Sequence, residues 1–244
     1  MQQASPDDRV MMDEGARYAI YFVPAAGSDL YRFGSSVLRY DCYTGEQVAP
    51  ADELVGDAES WRSLTEEPRR YGFHATLKAP FHLSCERTER ELADAMENFA
   101  AAGHAVPTIA PVVEMLEGFA AVVPQRPDPL VNTLAAHCTT AFDRFRAPMS
   151  PQERARRLAT PLSRDQIENL ERWGYPYVFA HFRFHMTLTG RLLVEAREAS
   201  VATLRKSFER LCGYRPIAID RLALLKQDTP TARFRVLSHA QLRA

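Results

Sequence analysis

The chain has 244 residues, 46% hydrophobic and 25% charged, and its 30 Lys and Arg against 31 Asp and Glu leave a formal net charge of −1. That is enough apolar material for one large domain or two small lobes, and a charge balance with no bulk attraction to long nucleic acids or anionic membranes, although a short phosphate ligand needs only a few placed cations. No apolar run of about 18 residues is there to cross a bilayer, and the polar, acidic start MQQASPDDRVMMDEG lacks a signal-peptide layout, so a cytoplasmic protein is expected.

Residues 1–15 read as a flexible leader. Arg17–Val23 (RYAIYFV), bounded by Pro24, has the β-branched and aromatic content of a strand. A helix is expected near Asp52–Thr65, and Tyr71–Ser84 (YGFHATLKAPFHLS) reads as extended. Thr88 and Glu91 form a capping box, Leu92, Met96 and Phe99 recur at helical spacing, and Gly103 is a natural stop. Two apolar stretches, 108–116 and 119–123, flank Glu117-Gly118 as a hairpin would. After the breaker PQRPDP, Leu130, Leu134, Cys138, Phe142 and Phe145 form a helical stripe. Ser150-Pro151 and Ser163 with Gln166 open two further helices, the second closing at Gly174. His181–Val194 (HFRFHMTLTGRLLV) is again strand-like. A helix carrying Val201, Leu204, Phe208 and Leu211 runs to Gly213, and a final strand pair covers 217–225 and 233–237. Cys42, Cys85, Cys138 and Cys212 are scattered without CxxC spacing and read as reduced thiols.

One internal repeat organises this order. Phe73-His74-Ala75-Thr76-Leu77 and Phe184-His185-Met186-Thr187-Leu188 share four letters of five, 111 residues apart. Each copy precedes a helix and a strand pair. The expected architecture is α+β: a duplicated, two-lobed antiparallel sheet with helices, pseudo-two-fold about a central cleft. Lobe 1 covers about 16–125 and lobe 2 about 178–244, within a single domain (16–244), with a helical connection over about 126–177.

Side chains alternate along a strand. His74, Thr76 and Lys78 therefore share one face, as do His185, Thr187, Thr189 and Arg191, while Phe73, Ala75, Leu77 and Phe184, Met186, Leu188 form apolar opposite faces. Packing alone does not account for the repeated His-x-Thr face, since buried polar groups cost free energy without partners. Two histidines across a cleft suit acid–base catalysis: with ordinary values near ~6.5, one is neutral and the other protonated near neutral pH. The threonines would donate to phosphate oxygens, and Lys78 and Arg191 would add cationic clamping or else be solvated strand-end charges. Arg17 and Tyr21, on one face of the first strand, and Tyr71 are further candidates for the cleft, against an ordinary sheet surface. His181 and His185 are too far apart on a strand, roughly 13 Å, to share a metal, so neither metal nor cofactor is expected. Arg154–Arg157 (RARR) reads as a solvated helix face or, with an RNA substrate, a contact to its phosphate backbone.

Paired Hx[TS] motifs of this kind resemble the 2H phosphoesterase superfamily, and RYAIYFVP, RYGFHATLKAPFHL and FRFHMTLTGRL are similar to its branch of phosphonate metabolism proteins. The resemblance implies a 2H-type duplicated fold and metal-independent attack on a small cyclic phosphate or phosphodiester. It implies His74 and His185 as the acid/base pair and Thr76 and Thr187 as phosphate-binding hydroxyls. Two alternatives stay open: an RNA 2′,3′-cyclic phosphodiesterase or 2′–5′ RNA ligase, and a non-catalytic module that binds a phosphorylated metabolite. The expected partner is a small phosphorylated substrate, with nucleic acid less favoured, no membrane, and a monomer or dimer.

Overall fold

The computed structural model describes residues 15–50 and 58–243. Most of the expected leader, and the start of the helix expected at Asp52–Thr65, lie outside the described residues. The strand expected first is β1 (Arg17–Phe22), followed by α1 (Asp29–Leu38), α2 (Ala58–Leu64) and the single turn α3 (Glu66–Arg69). Then come β2 (Ala75–His82), α4 (Glu89–Ala101), β3 (Thr108–Ile109) and the hairpin β4 (Pro111–Leu116) and β5 (Phe119–Pro124). The capping box of Thr88 and Glu91 forms at the start of α4. Glu117 and Gly118 turn the hairpin with positive φ at both positions, the backbone a two-residue turn demands.

The connection is helical: α5 (Pro129–Phe142), α6 (Pro151–Leu158) and α7 (Arg164–Trp173), the last ended by Gly174 at φ 74°. The expected stripe holds at Leu134, Cys138, Phe142 and Phe145 and fails at Leu130. Val131, Leu134, Ala135, Cys138 and Phe142 are buried, whereas Leu130 is exposed. The second motif gives a much shorter strand than its sequence promises, β6 (Met186–Thr187), and α8 (Arg197–Cys212), β7 (Ile217–Ala218), β8 (Arg221–Gln227) and β9 (Arg235–Gln241) complete the chain. Two events cut β6 short. A 3-10 turn at Phe179–His181 precedes it, and beyond it the Gly190 amide donates to Leu64 O at 2.6 Å, pulling the chain out of the sheet. All four cysteines are free. No helix among the described residues is long and apolar enough to cross a membrane.

The fold is α+β around one seven-stranded sheet, ordered β4-β5-β6-β2-β1-β8-β9 with antiparallel neighbours throughout. The two histidine strands, β2 and β6, pair at the centre. β3 and β7, each leading into a hairpin, pair as a separate ladder. The sequence halves exchange their hairpins: β4-β5 from the first half sits beside β6, and β8-β9 from the second beside β1. The helices follow the exchange, with α4 packing on β8 and β9 and α8 on β4. The lobes expected from chain order therefore interleave.

Both motifs alternate as expected. Phe73, Ala75, Leu77, Phe184, Met186 and Leu188 are buried, while His74, Thr76, His185 and Thr187 are half-buried. Phe73 seats over Gly34 of α1, where an added Cβ would run into its ring.

Candidate active site

Each motif histidine sits just before its strand and is held in the same way. His74 Nδ1 lies 2.9 Å from Gly72 O, and His185 Nδ1 lies 2.7 Å from Arg183 O. A carbonyl only accepts, so each Nδ1–H donates and each Nε2 keeps its lone pair. Thr76 Oγ1 is 3.2 Å from His74 Nε2. The Tyr21 ring stacks on His74 at 3.8 Å and 18°, and Tyr71, stacked on Phe234, lies 6.1 Å from the same imidazole. Phe119 flanks His185 at 5.7 Å.

Burial makes protonation of both rings costly. For His74 it outweighs the Gly72 carbonyl, and with repulsion from His185 it pushes the pKa down to about 4. His185 is also lowered by burial, against the Arg183 carbonyl and the Glu117 carboxylate, which favour its charged form. The resting cleft therefore holds two neutral imidazoles at neutral pH, in place of the one-neutral, one-protonated pair expected from ordinary values. Burial also raises the Tyr21 hydroxyl well above its usual value, so that phenol is a donor.

His74, Thr76, His185 and Thr187 border one cleft of about 540 Å³ that also takes in Arg17, Tyr21 and Tyr71. Arg191 borders an adjoining hollow of about 290 Å³, which it shares with His74 and Thr187. Lys78 is the exception. Tyr21 pairs with Thr76 but Ile20 pairs with Lys78, so Leu77 is an extra residue on β2. That bulge turns Lys78 to the side of Ile20, away from the cleft. There it is buried, with Nζ 2.7 Å from Asp143 Oδ1 and 3.3 Å from Thr139 O. Burial lowers the Lys78 pKa. Burial works against the Asp143 carboxylate too, but Arg146 and Lys78 hold it below the usual range. Lys78 is therefore a structural cation. Thr189 is likewise structural: it is buried, and its Oγ1 accepts the Ala120 amide at 3.0 Å.

Several residues at the cleft escaped the sequence reading as site residues, Arg70 and Glu67 among them. Gly72, at φ 74°, presents the carbonyl that orients His74, and a Cβ there would lie 2.6 Å from Cys42 Cβ. Arg156, Arg157 and Tyr175, from α6 and the loop after α7, line the same cleft as the histidines. The RARR cluster was visible in the sequence, but its placement depends on how the connection folds back. Among the described residues no three His, Cys, Asp or Glu side chains gather as a metal site would require.

Two curated relatives match nearly the whole chain. One, from Janthinobacterium sp. (strain Marseille), is 37% identical over 94% of this chain and 51% of its own length; another, from Laribacter hongkongensis (strain HLHK9), is 34% identical over 90% and 50%. Both are named ribose 1,5-bisphosphate phosphokinase PhnN, and the chain spans about half the length of each. Among solved structures, a phosphoesterase aligns at 11% identity and TM-score 0.43, covering 93% of this chain and 99% of its own. E. coli LigT, solved with NADP+, aligns at 12% and 0.42, covering 95% and 99%. At these TM-scores the likenesses carry no functional weight. A family model described as "Protein of unknown function (DUF1045)" matches residues 76–235, more than half of the chain and both motif threonines, and the chain belongs to that family.

Proposed function

We propose that the protein is a metal-independent phosphoesterase that opens a small cyclic phosphate or phosphodiester by two-histidine acid–base catalysis. The observation that carries this reading is the matched pair of imidazoles, each locked by an Nδ1–H bond to the carbonyl two residues back, at the starts of two paired central strands and at one cleft. His74, the more strongly depressed, is the base: its Nε2 takes a proton from water. His185, whose charged form Glu117 favours, is the acid that gives a proton to the departing oxygen. Negative charge on the substrate raises the affinity of His185 for that proton. Thr76 and Thr187 donate to the non-bridging oxygens and Arg191 adds positive charge at the rim.

The resemblance to the phosphonate branch and the PhnN name of the relatives support a place in phosphonate breakdown, near ribose phosphate chemistry. Their kinase activity is not carried over. None of the three lysines, Lys78, Lys206 and Lys226, follows a glycine, so no GK[ST] phosphate loop is present in this chain.

The test is hydrolysis of 2′,3′-cyclic nucleotides, ribose cyclic phosphates and short RNA ends with chelator present, wild type beside His74→Ala and His185→Ala. Chelator-resistant turnover lost in both variants supports the reading; turnover that survives in either, or that vanishes with chelator, overturns it. One observation favours the RNA alternative. Arg70 borders both the cleft and a neighbouring depression lined by Arg62, Arg69 and Arg233 together with Glu59 and Glu66, a mainly basic path away from the histidines. If that path binds RNA, affinity for an oligonucleotide falls steeply with salt; a flat salt dependence removes this reading.

A further inference from the structure

We propose that the cleft recognises a second anionic group on its substrate, separate from the reacting phosphate, through Arg17, Arg70, Arg156 and Arg157. The substrate class is then a cyclic phosphate or diester that also carries a phosphate monoester. This rests in part on the phosphoesterase reading above, because the histidines and threonines are taken to be occupied by the reacting group.

The argument is one of charge supply. A reacting diester brings a single negative charge, and the two threonine hydroxyls and Arg191 already face it. The cleft nevertheless draws four further guanidinium groups from three places: β1, the residue after α3, and α6. Glu67 is the single acid on that lining. Several arginines elsewhere pair with carboxylates, as in Arg154–Glu171, Arg205–Glu114 and Arg183–Glu117. In the cleft only Arg157 does so. Among the described residues, Arg17, Arg70 and Arg156 have no carboxylate at ion-pair distance.

Two of these three are held by neutral acceptors, which fix a guanidinium without cancelling its charge. Arg17 Nε donates to Gln227 Oε1 at 2.7 Å while its guanidinium lies over the Phe234 ring. Arg70 Nη2 donates to Pro230 O at 2.6 Å. Arg157 is fixed by Glu153, with Nη2 at 2.7 Å from Oε1, and lies over Tyr175. Guanidinium groups held in this way are prepared for bidentate binding of a phosphate dianion.

Their placement also breaks the symmetry of the site. The histidines and threonines repeat between the halves, but α6 belongs to the connection and has no counterpart. A duplicated centre alone accepts a diester in either direction. Arginines on one side decide which end of the substrate lies where.

The test compares adenosine 2′,3′-cyclic phosphate with the same compound bearing a 5′-phosphate, in wild type, Arg156→Gln, Arg156→Lys and the double variant R70Q/R156Q. One charge-assisted contact supports a preference of about 30-fold in kcat/KM for the 5′-phosphorylated member. The ratio is expected to fall about tenfold in Arg156→Gln, to recover in part in Arg156→Lys, and to fall further in the double variant, which keeps Arg17 and Arg157. Arg156 is exposed on its helix, so these variants are expected to fold, which thermal unfolding checks. Calorimetric affinities of the same pair are measured alongside. If neither compound is hydrolysed, the phosphoesterase reading fails, yet a 5′-phosphate preference in binding that the variants diminish still supports the anion site. Equal affinity and equal turnover for the pair in the wild type, no binding of either, or a preference undiminished in the double variant overturns it.

Discussion

The two copies of the histidine motif differ in what holds them. The first runs into an eight-residue strand, paired with β1 on one side and β6 on the other, and its imidazole is stacked on Tyr21. The second runs into a two-residue strand between a 3-10 turn and a segment that leaves the sheet at Gly190. Beside it, Arg183 pairs with Glu117 at 3.0 Å in the open, with about two thirds of each side chain exposed. One sequence pattern thus yields a rigid, strongly desolvated imidazole and a more accessible one. Acid–base work asks for that difference: a base that resists protonation and an acid that can regain its proton from solvent.

The largest test of this division removes each imidazole. His74→Ala and His185→Ala are each expected to lose about 10²–10⁴-fold in kcat/KM, with the double variant little worse, because the pair acts as a unit. On an aryl diester, whose leaving group needs no proton, His185→Ala should lose far less than His74→Ala; the reverse order would exchange the roles.

Next is the support of each ring. Gly72→Ala forces a Cβ toward Cys42 at a left-handed position. It is expected to cost about 1–3 kcal/mol of stability and, by shifting the carbonyl that orients His74, about tenfold or more in kcat. Arg183→Ala keeps its own backbone carbonyl and breaks only an exposed ion pair, so activity should change less than threefold and stability by under about 1 kcal/mol. Steady-state kinetics and melting curves on both variants compare the two supports directly; equal losses would mean that the halves are equally held.

The titrations sharpen the contrast further. The His74 pKa is depressed from 6.5 to about 4, so the fold favours its neutral form. The associated stability is present above about pH 6.5 and is lost as pH falls toward 4, roughly 3 kcal/mol in all. The acidic limb of kcat/KM should accordingly lie near pH 4–5, and activity should decline again as His185 loses its proton below its ordinary value. His74→Ala should erase the acidic limb of residual activity and flatten the acid loss of stability; a limb that stays at pH 6.5 in the wild type would contradict the burial of His74.

The smallest effects separate the two cations once assigned to the strands. Lys78→Met should cost about 1–3 kcal/mol, tempered because Arg146 still holds Asp143, with activity near wild type. Arg191→Gln should lower kcat/KM several-fold with stability unchanged within about 0.5 kcal/mol. Chemical denaturation beside kinetics reads both.

The repeat, the helices with clear caps and the alternation around His74 and His185 were legible because they depend on neighbours in sequence. Lys78 was misplaced because a bulge at Leu77 resets the alternation, and only the pairing with β1 reveals it. β6 was overestimated because a β-prone stretch forms a strand only where partners are offered, and Ala75, Ala121 and Val122 are its partners in the ladder. The cleft arginines of α6 and the crossing of the hairpins are tertiary facts with no local signature, whereas the positive φ of Gly72 had at least the hint of a glycine two residues before the histidine.

The hairpin exchange has a consequence for how the molecule is made. β1 pairs with β8, so Arg17 waits for Gln227 and Tyr21 for Ala223. The edge of β1 that faces β8 therefore stays open until β8, far along the chain, has been synthesised. Such distant pairings imply high contact order and slow folding, and an uncovered edge invites association with other chains in the meantime. Cutting the gene between the repeats would not yield two folding units; each half would expose the edge that the other half's hairpin was meant to close.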